Sequence, residues 1–258
     1  MRFKKKGNGH AVRAFVVLAG LLASADLLVA CSGDKQSKTS AVVAAKSTGS
    51  DTSAATGHSA TKDATNGSPR ARVVILGTSL TAGLGLDLSD AYPTLLQNMA
   101  DSLKLHVNIV NAGLSGETSA GALRRADWVL EQPAAAVVLE VGANDGLRGV
   151  NPDSTQANIE ALIAAIRKKT PQPEVLLVQM EAPPNFGADY TARFHRAYAA
   201  AARSQKIELL PFLLDSVAGI TSLNQGDGIH PNKVGEKIVA RNMFKALLPL
   251  LTRLSKTE

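Results

Sequence analysis

Hydrophobic positions change their spacing abruptly at Arg72. From there, short continuous apolar runs alternate with longer segments whose apolar residues recur every three or four positions. The runs are RVVILG (72–77), LHVNIVNAG (105–113), AAAVVLEVG (134–142), EVLLVQM (174–180) and IELLPF (207–212). Such short, nearly unbroken runs fit strands buried on both faces. The segments at 91–104, 117–132, 154–170, 190–205 and 231–254 carry helical spacing, with Asp90 expected as the N-cap of the first and Pro171 closing the third. Strands alternating with helices predict an α/β fold, a parallel sheet of five strands covered on both faces. No internal repeat interrupts it.

Before Arg72 the pattern is of another kind. MRFKKKGNGHAVR is basic, Ala14 to Ala30 is apolar but for Asp26, and small residues precede Cys31. These are the parts of a secretory signal. The apolar run falls short of the roughly 20 residues that cross a bilayer. The ending LVAC (28–31) resembles the lipobox of bacterial lipoproteins, in which the chain is cut before the cysteine and the sulfur is lipidated. An ordinary signal peptide with an incidental cysteine is the alternative. Ser32 to Pro69 is rich in Ser, Thr, Ala, Lys and Gly and lacks aromatics, so it reads as a tether spanning roughly 35 Å. The expected organisation is a lipoprotein signal peptide at 1–30, a lipidated cysteine and linker at 31–70, and a single globular domain at 71–258. By analogy, Ser32 after the cysteine points to the outer membrane, the protein facing the periplasm of a bacterial envelope.

Charge follows the same division. The formal net charge is +6, and residues 1–70 hold ten Lys/Arg against four Asp/Glu. The remainder holds eighteen of each sign, which gives no electrostatic case for nucleic acid. Aromatic content is 4%, so aliphatic side chains must fill the core. One cysteine allows no internal disulfide.

In parallel sheets, sites collect at the carboxyl ends of the strands. Four polar clusters lie there: GTSL (77–80), GLSGET (113–118), GAND (142–145) and DGIH (227–230). Nucleotide-binding loops fit poorly. Gly77 and Gly83 are one residue too far apart for a phosphate loop, Leu84 stands in place of its lysine, and the dinucleotide glycine pattern fails after Gly85. Acyl transfer fits better. Ser79 lies at a strand-to-helix turn that could expose its hydroxyl; alone, it reads equally as a capping serine. Asp227 precedes His230 by three residues, close enough to fix the imidazole tautomer. Asn144 offers an amide at the end of the most buried strand, and Gly116 allows a close approach to its backbone N–H. His195, on a helix, has no acid in its local motif. His106 is expected in a strand, and His10 and His58 fall in the leader and tether.

Together these blocks resemble the SGNH, or GDSL-type, hydrolases, and within them the bacterial arylesterase, acyl-CoA thioesterase and lysophospholipase subgroup. GTSL, NAGLSGET, GAND and DGIHPN carry the resemblance, supported by AYPTLLQ (91–97) and NDGLRG (144–149). It covers roughly 72–251. The resemblance implies a three-layer, flavodoxin-like α/β/α sandwich and no metal or organic cofactor. It also implies Ser79 as nucleophile, His230 as base, Asp227 as its acid, and an oxyanion hole from Ser79, Gly116 and Asn144. The family usually has aspartate where this chain has Thr78, a residue that shapes the nucleophile turn. Ala143 likewise stands for a frequent glycine.

The substrate is expected to be a small acyl ester, thioester or lysophospholipid, held near Leu80, Gly146, Leu147 and Arg148, with GLRGVN (146–151) as a loop at the cleft mouth. No obligate protein partner is expected, and membrane contact would come through the lipid on Cys31. Two alternatives stand: a carbohydrate acetylesterase, or a non-catalytic lipoprotein that binds lipid or glycan in the same cleft.

Overall fold

A computed structural model describes residues 69–256; the expectations for the signal segment, Cys31 and most of the tether lie outside the described residues. The strands are β1 (Ala71–Gly77), β2 (Val107–Gly113), β3 (Ala136–Glu140), β4 (Glu174–Gln179) and β5 (Glu208–Phe212). All pair in parallel, in the order β2-β1-β3-β4-β5. The five apolar runs are the five strands; β1 starts one residue earlier than its run, and the other four are one to four residues shorter than theirs.

The helices are α1 (Ser79–Ala82), α2 (Tyr92–Ser102), α3 (Ser119–Val129), α4 (Ala143–Leu147), α5 (Pro152–Ile166), α6 (Gly187–Gln205) and α7 (Lys233–Leu254). α2 packs with α7, whereas α5 packs with both α3 and α6, giving a helical layer on each face of the sheet. The central strand β3 is buried along its whole length, and Val73 to Leu76 of β1 are equally enclosed. α6 shows how the helices seat themselves: Phe194, Ala197, Tyr198, Ala201 and Ala202 form one buried stripe at helical spacing.

Register decides where the chemistry can gather. Gly77 of β1 lies opposite Gly113 of β2 and Glu140 of β3. The loops leaving these three strands therefore start at one level, and they carry Ser79, Gly116 and Asn144. One local expectation fails. Asp90 does not cap α2; Ala91 occupies that position without a side-chain bond, and Asp90 instead meets the Lys233 ammonium at 2.8 Å. The Tyr92 N–H at the start of α2 donates to the Glu236 carboxyl of α7 at 2.8 Å, so a distant helix does the work expected of a local residue.

Candidate active site

Ser79 opens α1 immediately after β1, and Thr78 caps that helix with its hydroxyl accepting from the Leu80 N–H at 3.4 Å. Gly83 ends this single turn in the left-handed conformation, φ 71°. There a side chain would strain the backbone and meet the Ala91 Cβ at 2.6 Å. The turn is held from beneath by Glu140. Its carboxyl accepts from the Thr78 N–H at 2.7 Å, the Thr78 hydroxyl at 3.0 Å and the Thr81 hydroxyl at 2.8 Å. Thr81 also shares a hydrogen bond with the Tyr92 hydroxyl at 2.8 Å. Burial pushes the Glu140 carboxyl up to about 7, although these donors pull the other way.

The opposite wall is a loop between Asn224 and Asn232. Asp227 Oδ1 accepts from the backbone N–H groups of Ile229 and His230 at 2.9 and 3.0 Å, which folds the loop into a tight Asx-type turn. Gly228 takes the positive φ, 70°, that this turn needs. Asp227 Oδ2 is 2.7 Å from His230 Nδ1, and His230 Nε2 is 2.8 Å from the Ser79 hydroxyl. The two backbone donors, with the imidazole, hold the Asp227 carboxyl down to about 2. It is therefore a carboxylate throughout the range in which esters are ordinarily hydrolysed. Gln225 ties the walls together: its amide donates to Leu84 O at 2.7 Å and Pro231 O at 2.9 Å, and its N–H to His230 O at 2.7 Å.

The loops after β2 and β3 close the site. Gly116 is exposed with φ 78°, a conformation that favours glycine. Next to it, Glu117 receives two bonds of 2.6 Å from Arg125, which also donates to Ala112 O at 2.8 Å and Gly77 O at 3.3 Å. Such a bidentate pair fixes the loop in both position and tilt. Asn144 donates one amide hydrogen to Glu117 O at 3.0 Å, and its amide carries a second. Asp145 anchors the same turn, accepting from the Ser119 N–H at 2.8 Å and its hydroxyl at 2.5 Å. Beneath it, Tyr198 and Tyr190 on α6 donate to Val141 O and Val150 O at 2.9 and 2.8 Å. Gly142 is required here, since its φ is 95° and the Tyr198 hydroxyl occupies the space of a Cβ.

The structure thus brings Ser79, Asp227 and His230 into one hydrogen-bonded chain and joins the Gly116 and Asn144 loops through Glu117. It separates the residues expected to hold substrate. Leu80, next to Ser79, is 5% exposed and packs with the core, and Gly146 is buried against Phe194 and Ala182. Leu147 and Arg148 are exposed, and Arg148 donates to Gly116 O at 3.1 Å. The 146–151 stretch is part helix and is tied to α6 through Tyr190, rather than being a simple loop. Sequence reasoning missed Glu140, Arg125 and Gln225. A signal for Glu140 existed: a carboxylate inside an otherwise apolar buried strand is costly unless it is used. His195 does have an acid, Glu181, at 2.6 Å, but the pair is a surface contact.

A nucleophile, imidazole and carboxylate so arranged are the parts of a serine hydrolase. The profile of the GDSL-like Lipase/Acylhydrolase family matches residues 75–238. The chain belongs to this family. Esterase TesA of Pseudomonas aeruginosa is 39% identical over 180 residues, which is 69% of this chain and 89% of the relative. Thioesterase 1/protease 1/lysophospholipase L1 of Escherichia coli is 36% identical, over 69% of this chain and 84% of its own. Among solved structures, psychrotrophic esterase EstA from Pseudoalteromonas sp. superposes with a TM-score of 0.67 at 34% identity, covering 70% of this chain and 98% of that one. This SGNH hydrolase is a serine esterase, and its five-stranded three-layer fold is the one the sequence implied.

Proposed function

We propose that the chain hydrolyses small acyl esters, acyl thioesters and lysophospholipids through an acyl-enzyme on Ser79. The observation that carries this reading is the unbroken link from Asp227 through His230 to the Ser79 hydroxyl, at 2.7 and 2.8 Å. Ser79 Oγ attacks the carbonyl carbon as His230 Nε2 takes its proton. Asp227 holds Nδ1–H and stabilises the imidazolium. The oxyanion is received by the N–H groups of Ser79 and Gly116 and by the Asn144 amide. Collapse expels the alcohol or thiol, protonated by His230, and water repeats the cycle to release the acid and Ser79. The relatives' names, esterase, thioesterase and lysophospholipase, support this substrate range. The sequence also supports lipidation of Cys31 and an outer-membrane, periplasm-facing location; mass spectrometry of the membrane fraction tests that, an unmodified Cys31 opposing it.

A fluorophosphonate probe tests the mechanism. Wild type should be labelled at Ser79, and Ser79→Ala should lose both label and ester hydrolysis; an active Ser79→Ala enzyme would overturn the assignment. A chain-length series of nitrophenyl esters and acyl-CoA tests the substrate range. Activity confined to acetyl groups would instead support a carbohydrate acetylesterase.

A further inference from the structure

Glu140 has no step in that mechanism, yet it sits under the nucleophile. It ends β3 opposite Gly77 and is 0% exposed. Its carboxyl takes hydrogen bonds from the Thr78 N–H, the hydroxyls of Thr78 and Thr81, and the Thr81 backbone. A buried carboxyl is expensive, and an apolar side chain of similar volume would ordinarily be cheaper. The surrounding chain is shaped to admit it. A Cβ on Gly77 would stand 2.6 Å from Glu140 Oε2 and as close to the Thr81 Cβ, so the glycine makes room for this carboxyl. What Glu140 grips is the peptide and side chain one residue before Ser79, and a hydroxyl two residues after it. The Thr78 hydroxyl in turn accepts from the Leu80 N–H at 3.4 Å. The backbone on both sides of the nucleophile is thereby referred to one side chain of the central strand.

We propose that Glu140 is a positioning residue for the nucleophile, acting through Thr78 to hold the turn that aims the Ser79 hydroxyl at His230 and its N–H at the oxyanion. The proposal rests on Ser79 being the nucleophile. Threonine at 78 supplies the Glu140 carboxyl with a hydroxyl donor as well as a backbone one.

The test compares Glu140→Gln, Thr78→Val, Thr78→Ser and the Glu140→Gln/Thr78→Val double variant by kcat and KM on a nitrophenyl ester, with near-ultraviolet circular dichroism confirming the fold. Thr78→Val keeps the backbone donor and the side-chain shape but loses the hydroxyl. Expected are losses of about 10-fold or more in kcat for Glu140→Gln and Thr78→Val with KM within about 2-fold, since displacement of a reacting group by an ångström can cost about 100-fold. Thr78→Ser should restore most of the turnover, and the double variant should be little worse than the worse single one, as members of one unit are non-additive. A Thr78→Val enzyme that keeps full kcat, or losses that fall on KM alone, would overturn the proposal. If Glu140→Gln does not fold, Thr78→Val decides alone. Ser79→Ala in the same assay separates the two readings: its inactivity beside a fully active Thr78→Val enzyme refutes positioning only, whereas activity in Ser79→Ala refutes the nucleophile.

Discussion

The two walls of the active site are built by opposite means. The nucleophile wall is buried, with Thr78 at 1% and Ser79 at 8% exposure, and its hydrogen bonds reach to Glu140 and Tyr92 on other elements. The base wall is open. The Asp227 side chain is 45% exposed, and its bonds go to residues two and three positions away. One wall borrows its geometry from the sheet, whereas the other carries most of its geometry within a four-residue turn and is joined to the first wall through Gln225. Ser79 can therefore be disturbed from beneath by a change in the core, while His230 is vulnerable chiefly through Asp227 itself.

The sharpest way to break this contrast is Asp227→Asn. Its Oδ1 can still accept from Ile229 and His230, so the turn should survive, but an amide cannot hold the imidazole in the needed tautomer. We expect kcat to fall about 10⁴-fold with little change in melting temperature. A large loss of stability would mean that the base wall is not self-contained. Next is Gly77→Ala. The methyl would collide with Glu140 and Thr81, and overpacking of this kind costs about 1–3 kcal/mol. Thermal melts should show that loss together with reduced turnover; retention of both would show that the nucleophile wall does not depend on the space above Gly77.

The smallest effect should come from Glu236→Gln. Burial first, and then the nearby Glu140 carboxyl, push Glu236 up to about 8, against the pull of the Tyr92 N–H. A carboxyl whose folded pKa lies above its ordinary 4.5 keeps a proton that the unfolded chain releases. Stability is therefore greatest below about 4.5 and declines as pH rises toward about 8. Glutamine can still accept from Tyr92 but has no charge to desolvate. The variant should melt higher than wild type at alkaline pH and alike at acid pH, with a shallower decline between. Equal pH dependence in the two proteins would refute this.

The same contrast governs what could be read from the chain. The inner strands β1, β3 and β4 announced themselves because burial on both faces leaves nearly unbroken apolar runs. The half-buried edge strands β2 and β5 showed interrupted or shorter ones. Asp227 and His230 were legible because their partnership is local, three positions apart. Thr78 was legible only as a departure from the family pattern, since its partner lies 62 residues away. Asp90 was misjudged for the same reason: the acceptor for the Tyr92 N–H comes from Glu236, 144 residues on. Leu80 and Gly146 are placed at the cleft by their neighbours in sequence, but sequence neighbourhood does not report burial, and packing leaves both largely enclosed.

The first strand and the last helix meet at the pole of the domain away from Ser79. β1 begins at Ala71, whose N–H donates to His106 O at 3.1 Å, and the His106 N–H donates to the Ser255 hydroxyl just past α7 at 2.7 Å. Both ends thus leave the domain at one pole, the length of a seven-residue strand, about 20 Å, from the level of Ser79. A support joined directly before Ala71 or after Ser255 would meet the domain at this pole and leave the level of Ser79 turned away from it. Attachment at those two positions should therefore cost the enzyme little substrate access.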